Sequence, residues 1–163
     1  VGKTTVIRRL AHRLKGHRLA GFYTEELREG SKRYGFRLVS FAGHEALIAH
    51  IGFPKAVRVG KYGVDIAALE AAAVLLAPDP AVELYLLDEI GKMESLAPGL
   101  VSAIEQLLDS AHPLVATVAA KGGGLIADVK ARPDVQLIQV THSNRDDLAE
   151  TLRRRLADGV RKP

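Results

Sequence analysis

Two short stretches carry residue types and spacing that can do chemistry on a phosphate. The chain begins Val1-Gly2-Lys3-Thr4-Thr5 and runs into an amphipathic helical pattern. Gly2 at a helix start lets backbone N–H groups approach an anion closely. The ammonium of Lys3 can reach β- and γ-phosphate oxygens, and the hydroxyl of Thr4 is a hard oxygen ligand of the kind Mg²⁺ prefers. These residues form the second half of a Gly-x-x-x-x-Gly-Lys-[Ser/Thr] phosphate loop, so the first half and a strand leading into it are expected upstream of Val1. The second stretch is Leu84-Tyr85-Leu86-Leu87-Asp88-Glu89. Four apolar residues followed by two acids fit a buried strand that emerges at the edge where open α/β sheets bind ligands. Asp88 there can hold the Mg²⁺, and Glu89 stands where a base can polarise an attacking water. Either stretch alone also reads as an ordinary helix start or a solvated strand end. Together in one small chain they point to a P-loop protein that handles nucleoside triphosphates.

Elements that could position these groups follow from hydrophobic periodicity. Val6, Ile7, Leu10, Ala11 and Leu14 recur at helical spacing. Leu19–Glu26, Arg33–Phe41 and Glu45–Ile51 read as three strands joined by turns at 28–31 and 42–44, an antiparallel meander inserted at about 19–51. Residues 52–64 read as loop. Asp65 caps an Ala-rich helix that Pro78 stops. After the acidic strand end, Ser95 or Pro98 opens a helix with Leu100, Val101, Ile104, Leu107 and Leu108 on one face. Leu114–Ala119 is a strand, a short helix follows Gly122-Gly123-Gly124, and Val135–Val140 reads as the last strand. Asn144 caps a final helix carrying Leu148, Leu152 and Leu156. Alternating strands and helices predict a three-layer α/β domain spanning 1–163, its sheet mostly parallel apart from the small antiparallel insertion.

Composition narrows the class. The 163 residues are 47% hydrophobic and 26% charged, with no Cys, so a thiol nucleophile, an iron–sulfur cluster and a disulfide scaffold are excluded. No apolar run reaches a membrane span of ~20 residues. A cytoplasmic monomer is the simple expectation. The net charge of +4 suits an anionic ligand. Basic faces on the first helix and at Arg153-Arg154-Arg155 carry few interleaved aromatics, so a nucleic-acid partner is not favoured. The six His show no metal-ligand spacing.

With these motifs in hand, the chain resembles the small thermophile-type nucleoside-triphosphatases, whose animal members are called cancer-related nucleoside-triphosphatase. The resemblance rests on Val1–Thr5, Gly21–Arg28, Tyr34-Gly35-Phe36, Val59–Val64, Val115-Ala116-Thr117, Asn144-Arg145-Asp146 and, most specifically, Leu87-Asp88-Glu89-Ile90-Gly91-Lys92-Met93-Glu94. It implies a RecA-like P-loop core. It also implies Mg²⁺-dependent hydrolysis of ATP, GTP and other nucleoside triphosphates to diphosphate and phosphate.

The expected site has Lys3 and Glu89 as catalytic residues and Thr4 and Asp88 as Mg²⁺ ligands. Val1, Gly2, Lys3, Thr4, Thr5, Asp88, Glu89, Thr117, Asn144 and Arg145 are expected to contact nucleotide. Thr117 would bond the γ-phosphate or the attacking water, and Arg145 would reach the base or phosphates. Arg28 and Arg37 are candidate charge stabilisers from the meander, Lys92 and Glu94 are either site residues or a local ion pair, and Tyr62 is a candidate base-stacking ring. Three functions remain open. They are a hydrolase of free triphosphates, a P-loop kinase of a nucleotide, a polynucleotide end or a small metabolite, and a nucleotide-gated RNA- or partner-binding module.

Overall fold

Why the acidic strand end lies where it does follows from the two faces of its strand. A computed structural model gives the fold of residues 2–159. Strand β6 (Leu84–Ile90) lies between β1 (Leu19–Glu29) and β7 (Leu114–Val118) and is parallel to both. Its side chains alternate between two cores, as the period of a strand requires. Leu84 and Leu86 pack with Ile7 and Leu10 of helix α1 (Lys3–Arg13) and Ala149 of helix α5 (Leu148–Gly159). Tyr85 and Leu87 pack on the other face with Leu69 of α2 (Ile66–Ala71) and with Leu100, Ile104 and Leu107 of α3 (Pro98–Asp109). Leu125 and Val129 of α4 (Leu125–Ala131) join that second core. The result is a helix–sheet–helix sandwich. None of the described helices is long and apolar enough to cross a membrane.

The meander takes the expected form. Strand β2 (Lys32–Ser40) pairs antiparallel with β1, and β3 (Glu45–His50) pairs antiparallel with β2. It is not set apart from the core, however, because Leu19–Phe22 of its first strand pairs with β6 and the rest of β1 runs on with β2. Residues 52–64 are not simply loop. Strands β4 (Arg58–Val59) and β5 (Tyr62–Val64) form a further hairpin, with β5 joined to β3. The seven strands lie in the order β4-β5-β3-β2-β1-β6-β7. The expectation of a mostly parallel sheet is therefore corrected. Four of its pairings are antiparallel and two are parallel. The cause is local. Loops as short as Gly30-Ser31 and Gly60-Lys61 can join only antiparallel neighbours, and both glycines sit in the left-handed region such turns need.

The expected last strand finds no partner among the described residues. Residues 135–140 form no ladder with a described strand, and Leu137 is 53% exposed. Alternating apolar residues make a strand only where a neighbour takes their backbone groups. Asp65 caps α2 as expected, its Oδ1 accepting from the Ala68 N–H at 3.0 Å. Asn144 does not cap α5 with its side chain. Its Oδ1 accepts from the Thr141 N–H at 2.8 Å, its Nδ2 donates to the Gln139 carbonyl at 2.8 Å, and only its backbone carbonyl meets the Leu148 N–H.

Gly21 marks the tightest point between β1 and β6. Its φ is +98°, and a Cβ there would lie 2.0 Å from the Leu86 carbonyl oxygen. Gly21→Ala should lower unfolding free energy by more than ~3 kcal/mol, because backbone rather than a flexible side chain must give way. Gly43→Ala, also at positive φ but with open space around it, should cost only ~1–2 kcal/mol. Urea denaturation of both variants checks the contrast.

Candidate active site

Helix α1 delivers its first turn to the end of β6. Gly2 enters the helix in the left-handed region, at φ 93°, and the Val6 N–H bonds its carbonyl at 3.0 Å. Lys3 Nζ then donates to Glu89 Oε2 at 2.5 Å and to the Val118 carbonyl at 2.9 Å. Thr4 Oγ1 donates to Asp88 Oδ2 at 2.7 Å. One helical turn thus touches the ends of both β6 and β7. Asp88 has the strand parity of Leu84 and Leu86, which aims it at α1. Strict alternation would turn Glu89 away from the helix. The ladder between β6 and β7 shifts register between Leu87 and Ile90, and such an irregularity re-aims side chains, so both acids reach the same helical turn.

Electrostatics separate the acids. Asp88 is 1% exposed, and burial raises its pKa above the ordinary carboxyl range, while hydrogen bonds from Thr117 and Thr4 pull it back. Thr117 Oγ1 donates to Asp88 Oδ1 at 2.5 Å. Both oxygens of Asp88 are therefore held by threonine hydroxyls. Glu89 stays partly open, with its carboxylate on Lys3. Glu94 is 5% exposed, and burial lifts its pKa to about 7, with Glu89 and Asp88 pushing the same way. Gly91 makes room for this crowding. A Cβ at that position would meet Glu89 Oε1 at 3.0 Å and Glu94 Oε2 at 3.1 Å.

Lys3, Thr4, Asp88, Glu89 and Thr117 are brought together. Thr117 lies in the site with its hydroxyl proton on Asp88 Oδ1. Arg145 lies over the helix entrance, where a Cβ on Gly2 would meet its Cδ at 3.2 Å. Asn144 is turned into its own loop. Thr5 is exposed on the first turn, and Val1 lies outside the described residues. Asp146 pairs with Arg9 at 2.8 Å rather than supporting Arg145.

Among the meander cations, Arg28 bonds Glu26 and Arg37 bonds Glu25 and Glu45. The one that faces the acids across a cavity is Arg33, which no motif singled out. Tyr62 is corrected as a base-stacking ring, because it is buried and its hydroxyl accepts from Arg33 Nε at 2.8 Å. Lys92 and Glu94 form no ion pair with each other among the described residues. Thr4 and Asp88 offer two hard oxygen donors side by side. That suits Mg²⁺, which takes one or two protein oxygens and completes its octahedron with phosphate and water.

Glu94 gives a pH dependence. Its folded pKa of about 7 lies above the ordinary 4.5, so the folded chain binds the proton more tightly. The associated stability is complete below pH 4.5 and is lost as pH rises through 7. The full span is at most about 3 kcal/mol. Glu94→Gln should flatten this decline, as denaturant titrations at pH 5 and pH 8 in metal-free buffer will read.

The family model described as NTPase matches residues 1–153. The chain is 37% identical over 150 residues to nucleoside-triphosphatase THEP1 of Thermotoga maritima, covering 91% of this chain and 85% of that one. It is 34% identical over 165 residues to the human cancer-related nucleoside-triphosphatase, covering 91% and 87%. The crystal structure of THEP1 from Aquifex aeolicus superposes with a TM-score of 0.83 at 31% identity, over 93% of this chain and 91% of that one. The chain belongs to the NTPase family.

Proposed function

We propose that the chain hydrolyses nucleoside triphosphates to diphosphate and phosphate with Mg²⁺, at the junction of α1 with β6 and β7. The observation that carries this reading is the pair of contacts Lys3–Glu89 and Thr4–Asp88, which places a phosphate-binding helix start against an acidic strand end. The triphosphate lies along the first turn of α1, where free N–H groups and the helix dipole favour negative charge. Lys3 turns from Glu89 to the γ-phosphate and so releases the Glu89 carboxylate. Thr4 and Asp88 would hold Mg²⁺, which would supply positive charge against the phosphates. Thr117 keeps the Asp88 carboxylate in the orientation that presents an oxygen beside Thr4.

Glu89 orients a water in line with the bond to be broken and accepts its proton. The water oxygen bonds the γ-phosphorus, and the β–γ bridging oxygen departs with the diphosphate. Such a transition state needs positioning and charge stabilisation more than covalent help. Arg145, packed over Gly2, is the residue we assign to the base or phosphates, with ATP, GTP and other triphosphates as substrates.

Glu89→Gln should keep nucleotide affinity within about twofold and lower turnover by ~10²–10⁴, the usual worth of a positioned base. Lys3→Ala should weaken both binding and turnover. Phosphate-release assays paired with equilibrium binding of labelled ATP separate the two effects. Unchanged turnover in Glu89→Gln would remove Glu89 from this role.

A further inference from the structure

Thr4, Asp88 and Glu89 form one wall of a cavity of about 410 Å³. Hydrolysis asks this space to hold a γ-phosphoryl group and one water, whose share of volume is ~30 Å³. A phosphoryl group and one water do not fill a space of that size. Its far side is set by the meander and by the segments after β6 and β7, with Arg33, Phe36, Lys92, Met93 and Lys121 facing in.

Arg33 is held firmly. Its Nε donates to Tyr62 Oη at 2.8 Å, its Nη1 donates to Glu26 Oε1 at 2.5 Å, and its guanidinium lies 4.9 Å from the Phe36 ring centre. Glu26 is engaged by Arg28 as well, so that carboxylate is neutralised twice. Among the described residues, neither Lys92 nor Lys121 is paired with a carboxylate. Glu94 on the same wall is buried, and burial raises its pKa. Lys92 and Lys121 are therefore the wall cations that no carboxylate holds among the described residues. Phe36, Ile48, Val59 and Met93 add an apolar surface that a water or a phosphate does not use.

Resting on the reading that the triphosphate lies along α1, we propose that this cavity is a second ligand site, contiguous with the reacting phosphate. It takes a small organic anion, with the charged group on Lys92 and Lys121 and the carbon skeleton against Phe36 and Met93. An occupant excludes water from the Glu89 side of the γ-phosphate. It therefore slows hydrolysis without displacing nucleotide.

Two probes test this on the full chain. Adenosine 5′-tetraphosphate carries one phosphoryl group past the γ position, tethered so that even a weak site responds. In the slowly hydrolysing Glu89→Gln background it should bind about tenfold more tightly than ATP, the gain of one charge-assisted contact. That gain should vanish in a Lys92→Ala, Lys121→Ala double variant and survive in Arg28→Gln, because Arg28 lies outside the cavity wall. Both lysines are exposed, so the double variant should fold. Phenyl phosphate, an anion with an apolar body, should inhibit hydrolysis by the wild-type chain in a manner not competitive with ATP. Equal affinity for ATP and the tetraphosphate would overturn the second site. So would inhibition by phenyl phosphate that is absent or purely competitive. A chain that neither binds nor hydrolyses ATP would instead overturn the reading on which the site rests.

Discussion

Helix α1 is tied to the sheet through its first turn, and everything chemical in the molecule depends on that tie. An ammonium on Lys3 and a hydroxyl on Thr4 meet two successive carboxylates on β6, while the same ammonium reaches the last carbonyl of β7. Opposite charges at this distance in a partly dry crevice attract far more than they would in water. Alignment of the pair depends on the two cores beneath it. Ile7 and Leu10 fix the helix against Leu84 and Leu86, and Tyr85 and Leu87 anchor the strand from its other face. The apolar packing sets where the helix begins, and the irregular end of β6 then turns both acids toward the polar groups at its entrance.

The arrangement divides labour between neighbouring acids. Asp88 is buried and gripped by two hydroxyls, which leaves it fixed in one orientation. Glu89, one residue on, is partly open and held by a side chain that can move. A rigid carboxylate suits a metal ligand, and a releasable one suits a base that must meet water. Thr117 contributes the second hydroxyl that holds Asp88.

Much of this was legible in the sequence because local patterns encode it. Glycine before lysine and threonine at a helix start, and four apolar residues before two acids, carry their meaning within a few positions. The meander was legible from its turns, and the cap at Asp65 from its place before an apolar run. What escaped depended on partners distant in the chain. The parallel character of the sheet was overestimated because short hairpins extend the same sheet as the core strands, and residues 52–64 hide two strands too brief to show a period. Val135–Val140 has the alternation of a strand but no ladder among the described residues. Arg33 was passed over in favour of Arg28 and Arg37 because an arginine on a hairpin looks solvated until its aromatic and acidic contacts are known. Asn144 looked like a cap by position, yet its amide serves the loop behind it.

A crystal structure of the full chain with Mg²⁺ and a non-hydrolysable ATP analogue tests the central claim most directly. The account predicts the γ-phosphate at the first turn of α1, within ~3 Å of Lys3 Nζ, with Glu89 detached from Lys3 and facing the in-line position. A triphosphate seated elsewhere, or one bound while Lys3 and Glu89 stay paired, would contradict it.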